Sequence, residues 1–227
     1  MAKKQSTLSI IDSYKALPLG KYVGEILPIC RQEGLDDLIR QVRIIGVLTG
    51  LSERDVLALP IDEYTRCAAA VHFLEVPCDL GGGKRIADRY TLGDLVLIPT
   101  KDYRKLTAGQ FIDFQSLSGM DQADSLVPFL SVILVPEGHT YMDGYDVDAL
   151  REAIAAHLSV EDAMQITAFF FTRLAASLRD SLTFSERAAK RMKGEKKEEV
   201  ERNVKEASRL LRTVSEALGT GGGGLRM

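Results

Sequence analysis

No apolar run in this chain approaches the roughly 20 residues that a membrane-crossing helix needs, and the Met1 to Ser6 start has a positive tip with no apolar stretch behind it. The sequence therefore predicts neither a membrane span nor a secretory leader. Cysteine is scarce: Cys30, Cys67 and Cys78 are odd in number and lack CxxC spacing. That pattern argues against a disulfide framework or a zinc knuckle and fits a reduced, cytosolic setting.

Catalytic signatures are missing as well. Gly81-Gly82-Gly83-Lys84 suggests a phosphate loop, because glycine amides can cradle phosphate and a lysine can neutralise it. The GxxxxGK[ST] spacing is absent, however, and Lys84 is followed by Arg85, so a hairpin turn is the expectation. His72, His139 and His157 are far apart and none belongs to an HExxH pair. They read as one helix, one loop and one helix-end histidine. The run Asp143 to Asp148 lacks the glycine and bidentate glutamate of a calcium loop and reads as a turn feeding a helix capped by Asp146 or Asp148. No GxSxG elbow occurs, and no histidine stands near a cysteine in sequence. These absences lead to the expectation of a non-enzymatic protein with no catalytic residue, cofactor or metal site.

The composition is that of a globular protein. Of 227 residues, 45% are hydrophobic and 27% charged, with a net charge of -3 and a pI near 5.7. That is enough chain for one sizeable core and gives no global attraction to nucleic acid or anionic lipid. Charge is uneven: Glu186 to Arg212 holds ten Lys or Arg against six Glu, a local +4 that leaves -7 on the rest of a chain totalling -3.

Periodicity predicts a mainly α fold. Leu17-Pro18-Leu19-Gly20 opens a short helix that Pro28 ends or kinks. Leu35, Leu38, Ile39, Val42, Ile45 and Val47 or Leu48 give a helical stripe closed by Gly50. Ser52 to Asp55 resembles a capping box before a short helix, and a further helix covers about Ile61 to Leu74. A small β-ribbon is expected within 77 to 100. In "KLTAGQFIDFQ", 105 to 115, Thr107 and Gln110 form a T-x-x-Q capping box, with Phe111, Ile112 and Phe114 toward the buried side. Thr107→Ala is then expected to lose an N-cap's worth of stability, and Gln110→Ala less. Met164, Ala168, Phe171, Leu174, Ala175 and Leu178 mark the strongest stripe, and Phe169-Phe170-Phe171 reads as core.

"LPLGKYVGEI" from 17 aligns with "LTAGQFIDFQ" from 106 at an offset of 89, Leu38 to Val47 with Leu126 to Val135 at 88, and Leu59 to Asp62 with Leu158 to Glu161 at 99. The expected organisation is a domain over 1–182 made of two diverged helical repeats, 14–76 and 102–178, joined by the β-ribbon at 77–100. A long charged C-terminal helix over 183–218 follows, then a Gly-rich tail, 219–227. On that helix Val200, Val204, Ala207, Leu211, Val214 and Leu218 form a narrow apolar seam at spacings of three and four, which suits a partner helix better than a globular core. The interleaved glutamates make a solvated face a better reading of its lysines and arginines than nucleic-acid binding. Gly221 to Gly224 can be encoded by a slippery G tract.

"YRKLTAGQFIDFQ" (103–115), "VLTGLSERDVLALPIDEY" (47–64) and "FLSVILVP" (129–136), the last placed before an acidic, tyrosine-bearing loop, resemble the small proteins of tailed-bacteriophage tail-morphogenesis regions known as tail assembly chaperones. The likeness spans about residues 14 to 182. It implies a helical, non-enzymatic protein of the host cytoplasm that holds an aggregation-prone tape-measure partner during assembly, often with a longer frameshifted product. The competing expectation is a structural subunit of the tail or baseplate that stays in the virion. A homo-oligomer is compatible with either.

Overall fold

The structure, a computed structural model, describes residues 8–80, 85–117, 120 and 122–189. The Gly81 to Lys84 run, expected as a hairpin turn, the expected charged helix with its seam from Val200 to Leu218, and the glycine tail lie outside them.

The chain enters along helix α5, Ile61–Ala70, where the Glu63 carboxylate accepts from the Leu8 amide at 3.1 Å and Arg66 donates to the Leu8 carbonyl at 2.6 Å. It then turns into α1, Leu19–Lys21, a π-helical segment, Tyr22–Ile26, and α2, Leu27–Arg31. Pro28 explains the wide middle turn. A proline has no N–H to donate and its ring crowds the carbonyl four residues back, so the helix widens and the Leu27 amide donates to the Tyr22 carbonyl instead. The proline is therefore absorbed, and the helix runs on to Arg31.

Helix α3, Asp37–Thr49, starts on the Asp36 carboxylate, which accepts from the Leu38 and Ile39 amides. It stops at Gly50, whose φ of 77° is the left-handed cap conformation that glycine adopts without a Cβ penalty. The expected stripe is right at Val42, Ile45 and Leu48 and wrong at its start, because Leu38 is exposed while Ile44 is buried. Helix α4, Glu53–Leu57, begins at Ser52, whose Oγ accepts from the Asp55 amide and donates to the Asp55 carboxylate at 2.6 Å. Ser159 and Asp162 repeat this pair at the start of α9. Helix α5 tightens into a 3-10 turn over Val71–Glu75.

The expected β element within 77–100 is present and is extended by a third strand. Strands β1, Tyr90–Leu92, and β2, Leu95–Pro99, form a hairpin that turns at Gly93-Asp94. Gly93 has φ 60°, as a two-residue hairpin loop requires. A third strand, β3, Leu134–Pro136, pairs antiparallel with β2, placing Leu97 opposite Pro136 and Pro99 opposite Leu134. The sheet order is β1-β2-β3. The ribbon thus belongs to the second half of the chain as much as it joins the two.

Helix α6, Ala108–Ser116, leads to α7, Gln122–Ile133, which passes directly into β3, then α8, Val147–His157, and α9, Val160–Ala189. Helices start at Leu19 and Ala108, and again at Ile61 and Val160, at the offsets of 89 and 99 read in the sequence. The third pairing diverges, since α3 stays helical to Thr49 whereas α7 gives way to strand after Ile133. Between the two halves the Leu19 amide donates to the Leu158 carbonyl at 2.8 Å and the Val160 amide to the Leu17 carbonyl at 2.9 Å. Helices α1 and α9 therefore start back to back on one antiparallel bridge. One cluster of buried side chains runs from Leu17 to Ala175. Within it Phe114, Phe129, Phe170 and Phe171 meet, with the Phe129 and Phe171 rings stacked at 5.2 Å. Phe170 is buried and Phe171 half-buried, so the phenylalanine run is core.

Candidate functional site

Two stretches that lie apart in sequence, "KLTAGQFIDFQ" and the tyrosine-bearing loop after "FLSVILVP", meet on one surface. The first begins at Thr107, whose Oγ1 accepts from the Gln110 amide at 3.2 Å while Gln110 Oε1 accepts from the Thr107 amide at 3.0 Å. This is the capping box the sequence predicts. Gln110 goes further: it is buried, and its Nε2 donates to the Val132 carbonyl at 2.7 Å. That carbonyl lies in the last turn of α7, where orphan acceptors need partners. Gln110 thus ties the start of α6 to the point at which α7 becomes β3.

The loop over residues 137–146 is packed on itself. The Met142 amide donates to the Tyr145 hydroxyl at 3.2 Å, Thr140 Oγ1 to the Asp143 carboxylate at 3.2 Å, and the Tyr145 ring meets His139 edge to face. Asp146 caps α8 through the Asp148 and Ala149 amides. One long-range bond fixes this loop to α6, as Tyr141 Oη donates to Asp113 Oδ2 at 2.6 Å. Burial raises the Tyr141 hydroxyl above the ordinary phenol range, and the acceptor carboxylate raises it further. The ring lies along the Gly109 to Asp113 edge of the helix, 3.7 Å from where a Gly109 Cβ would stand.

Each residue of this bond has a large, exposed apolar side chain as its neighbour in the chain. Ile112 and Met142, each next in the chain to one of the bonded residues, are both 62% exposed. The sequence places Ile112 toward the buried side of α6; instead it is exposed while Phe114 packs inward, because residues two apart on a helix point to opposite sides. Met142 has φ 60°, the positive-φ non-glycine among the described residues, a conformation that costs of order 1–3 kcal/mol unless the surroundings impose it. No sequence pattern announces a methionine held this way. Glu137, Asp143, Asp146 and Asp148 lie in this loop and the first turn of α8, with no Lys or Arg between 137 and 148. Of these, Glu137 pairs with Arg89 at 3.3 Å and Asp148 with Arg151 at 3.2 Å. The loop is acidic and carries an exposed apolar side chain, a composition compatible with protein contact.

A cleft of about 400 Å³ opens elsewhere, between the π-helical segment and α3, lined by Lys21, Glu25, Ile29, Arg43, Leu51 and Glu53. Its cations are engaged within the protein, Lys21 Nζ with the Val47 carbonyl at 3.1 Å and Arg43 with Gln32 Oε1 at 3.1 Å. The lining holds no serine, threonine, cysteine or histidine.

The other sequence candidates do not converge. His72 sits in the 3-10 turn beside Glu75, His139 in the tyrosine loop and His157 at the end of α8. No group of three or more His, Cys, Asp or Glu side chains among the described residues could hold a metal ion. The thiols are quiet, since burial raises Cys30 and Cys67 and pushes Cys78 up to about 11, leaving them protonated and weakly nucleophilic at neutral pH. No helix among the described residues is long and apolar enough to cross a membrane. Compared with known proteins, the chain matches no family model, no curated protein and no solved structure.

Proposed function

We propose that this protein is a non-enzymatic tail assembly chaperone of a tailed bacteriophage, which works in the host cytoplasm by holding a tape-measure-like partner. The supporting observation is the convergence of "KLTAGQFIDFQ" with the tyrosine-bearing loop, two of the features that carry the resemblance. Together they present Ile112 and Met142 to solvent on a rigid frame held by the Tyr141–Asp113 bond. Apolar side chains exposed on such a frame, one of them in an acidic loop, favour an interaction surface over a catalytic one. The apolar seam from Val200 to Leu218 supplies a second contact for a long amphipathic helix.

The reading is tested by quantifying the protein in lysed infected cells and in purified particles. Abundance in lysate with absence from particles is the expected result for a chaperone. Recovery in particles at a fixed copy number would overturn it in favour of a structural tail or baseplate subunit.

A further inference from the structure

We infer that the corner between α4 and α5, residues 57–61, is a docking site for an extended segment of a partner protein, which pairs with the backbone of 59–61 as a short antiparallel strand. The corner carries five apolar residues in a row. Leu57 is 62% exposed and Ile61 78%, Ala58 and Pro60 are exposed as well, and Leu59 is half-buried. A run of exposed apolar residues is an aggregation liability unless it is used.

The same chain shows what fills such a corner. Helices α5 and α9 both begin on a run of apolar residue, X, apolar residue and acid, Leu59-Pro60-Ile61-Asp62 and Leu158-Ser159-Val160-Glu161. At α9 the run is covered. Pro18 pairs with Ser159 in an antiparallel bridge, the Leu19 amide donates to the Leu158 carbonyl at 2.8 Å and the Val160 amide to the Leu17 carbonyl at 2.9 Å. Leu17, Leu19, Leu158 and Val160 are each at most 1% exposed. At α5 the matching groups are open: among the described residues nothing donates to the Leu59 carbonyl or accepts from the Ile61 amide. The occupant that fits is therefore an extended apolar–X–apolar segment whose first carbonyl accepts from Ile61 and whose third amide donates to Leu59, as in strand addition. Asp62, exposed beside Ile61, favours a lysine or arginine ahead of the apolar pair. A second copy fits less well. Its own Leu17 and Leu19 are consumed inside the molecule, and a five-residue corner falls far short of the roughly 800 Å² per partner of a stable dimer.

The inference goes beyond the proposed function, and its test uses neither particles nor a tail partner. Full-length ¹⁵N-labelled protein is titrated with the peptide acetyl-Lys-Ala-Leu-Pro-Leu-Gly-amide, which copies residues 15–20, and amide shifts are followed by NMR. The Ile61 and Asp62 amides should move saturably, Ile61 downfield, with a Kd on the order of 1 mM for so small a contact. Methylating the nitrogen of the peptide's second leucine deletes one bond and should weaken binding roughly ten-fold. Ile61→Pro deletes the facing donor at a first helical position, which favours proline. Pro60, at ψ 145°, accommodates a proline after it, so the melting temperature should hold while the Asp62 shift disappears. An Ile61 amide that stays in place at about 5 mM peptide, or shifts indifferent to both changes, would overturn the proposal. An Ile61 amide that moves with protein concentration in the absence of peptide would also overturn it, by showing that a second copy covers the corner.

Discussion

At the scale of single residues, Gln110 carries more than its place in a capping motif suggests. The sequence ranks Thr107→Ala as the costlier change, and the structure reverses that order. Removing the Thr107 hydroxyl loses one exposed cap bond, about 0.5–2 kcal/mol. Gln110→Ala loses the return bond and also leaves the Val132 carbonyl without its buried donor, so about 2–3 kcal/mol is expected in urea denaturation. A Gln110→Ala loss smaller than that of Thr107→Ala would show that the Val132 bond contributes nothing. Tyrosine sets the alkaline limit. Tyr14 donates to the Leu74 and Val76 carbonyls, and burial raises its hydroxyl; burial likewise pushes Tyr22 from 10.0 up to about 12, and Tyr141 is raised. Groups raised in the folded state contribute stability that is whole below the unfolded value near pH 10 and is lost as pH climbs through the folded one. Stability should hold to about pH 10 and decline toward pH 12, with phenolate absorbance at 295 nm rising together with unfolding. Full phenolate absorbance in a still folded protein at pH 10.5 would contradict this.

At the scale of elements, two glycines that the sequence matched, Gly20 and Gly109, serve different ends. A Cβ on Gly20 would stand 2.9 Å from the Ala155 carbonyl oxygen, backbone that cannot step aside, because α1 and α8 touch there. On Gly109 it would meet the Tyr141 ring at 3.7 Å, an ordinary contact. Gly20→Ala should therefore destabilise by about 1–3 kcal/mol. Gly109→Ala should be neutral or stabilising by up to about 1 kcal/mol through helix propensity. Melting temperatures decide, at about 2–4 °C per kcal/mol for a chain of this size, and equal falls in both would refute the distinction. The comparison also shows what the sequence makes legible. Helix starts are written locally, in Asp36, Ser52, Thr107, Asp146 and their neighbours' amides, and all of these are found where capping chemistry puts them. The strand β3 is not local: "VILVP" continues an apolar helical pattern, and only pairing with Leu97 and Pro99, nearly forty residues away, makes its end extended. The Tyr141–Asp113 contact is hidden for the same reason, since the two residues are 28 apart and neither one's surroundings reveal the other.

At the scale of the whole molecule, the two halves share one core and one sheet, so neither is built to stand alone. Residues 14–76 without α8 and α9 would expose the Leu17, Leu19 and Ile26 surfaces, and 102–178 without β2 would leave β3 unpaired. Each fragment should aggregate or melt without cooperativity; a soluble fragment with a sharp thermal transition would contradict the shared core. The claim on which the functional reading rests is that this molecule works by holding a partner at exposed apolar contacts. Under the proposed function, its most direct test is co-expression with a phage tape-measure protein encoded beside this chain, measuring the soluble fraction of that protein. The native chain is set against one carrying Ile112→Glu, Met142→Glu and Leu211→Glu, which should melt like the native protein. The expected result is a soluble tape-measure protein with the native chain and an aggregated one with the triple variant, whereas equal solubility with both chains, or with neither, would contradict the claim.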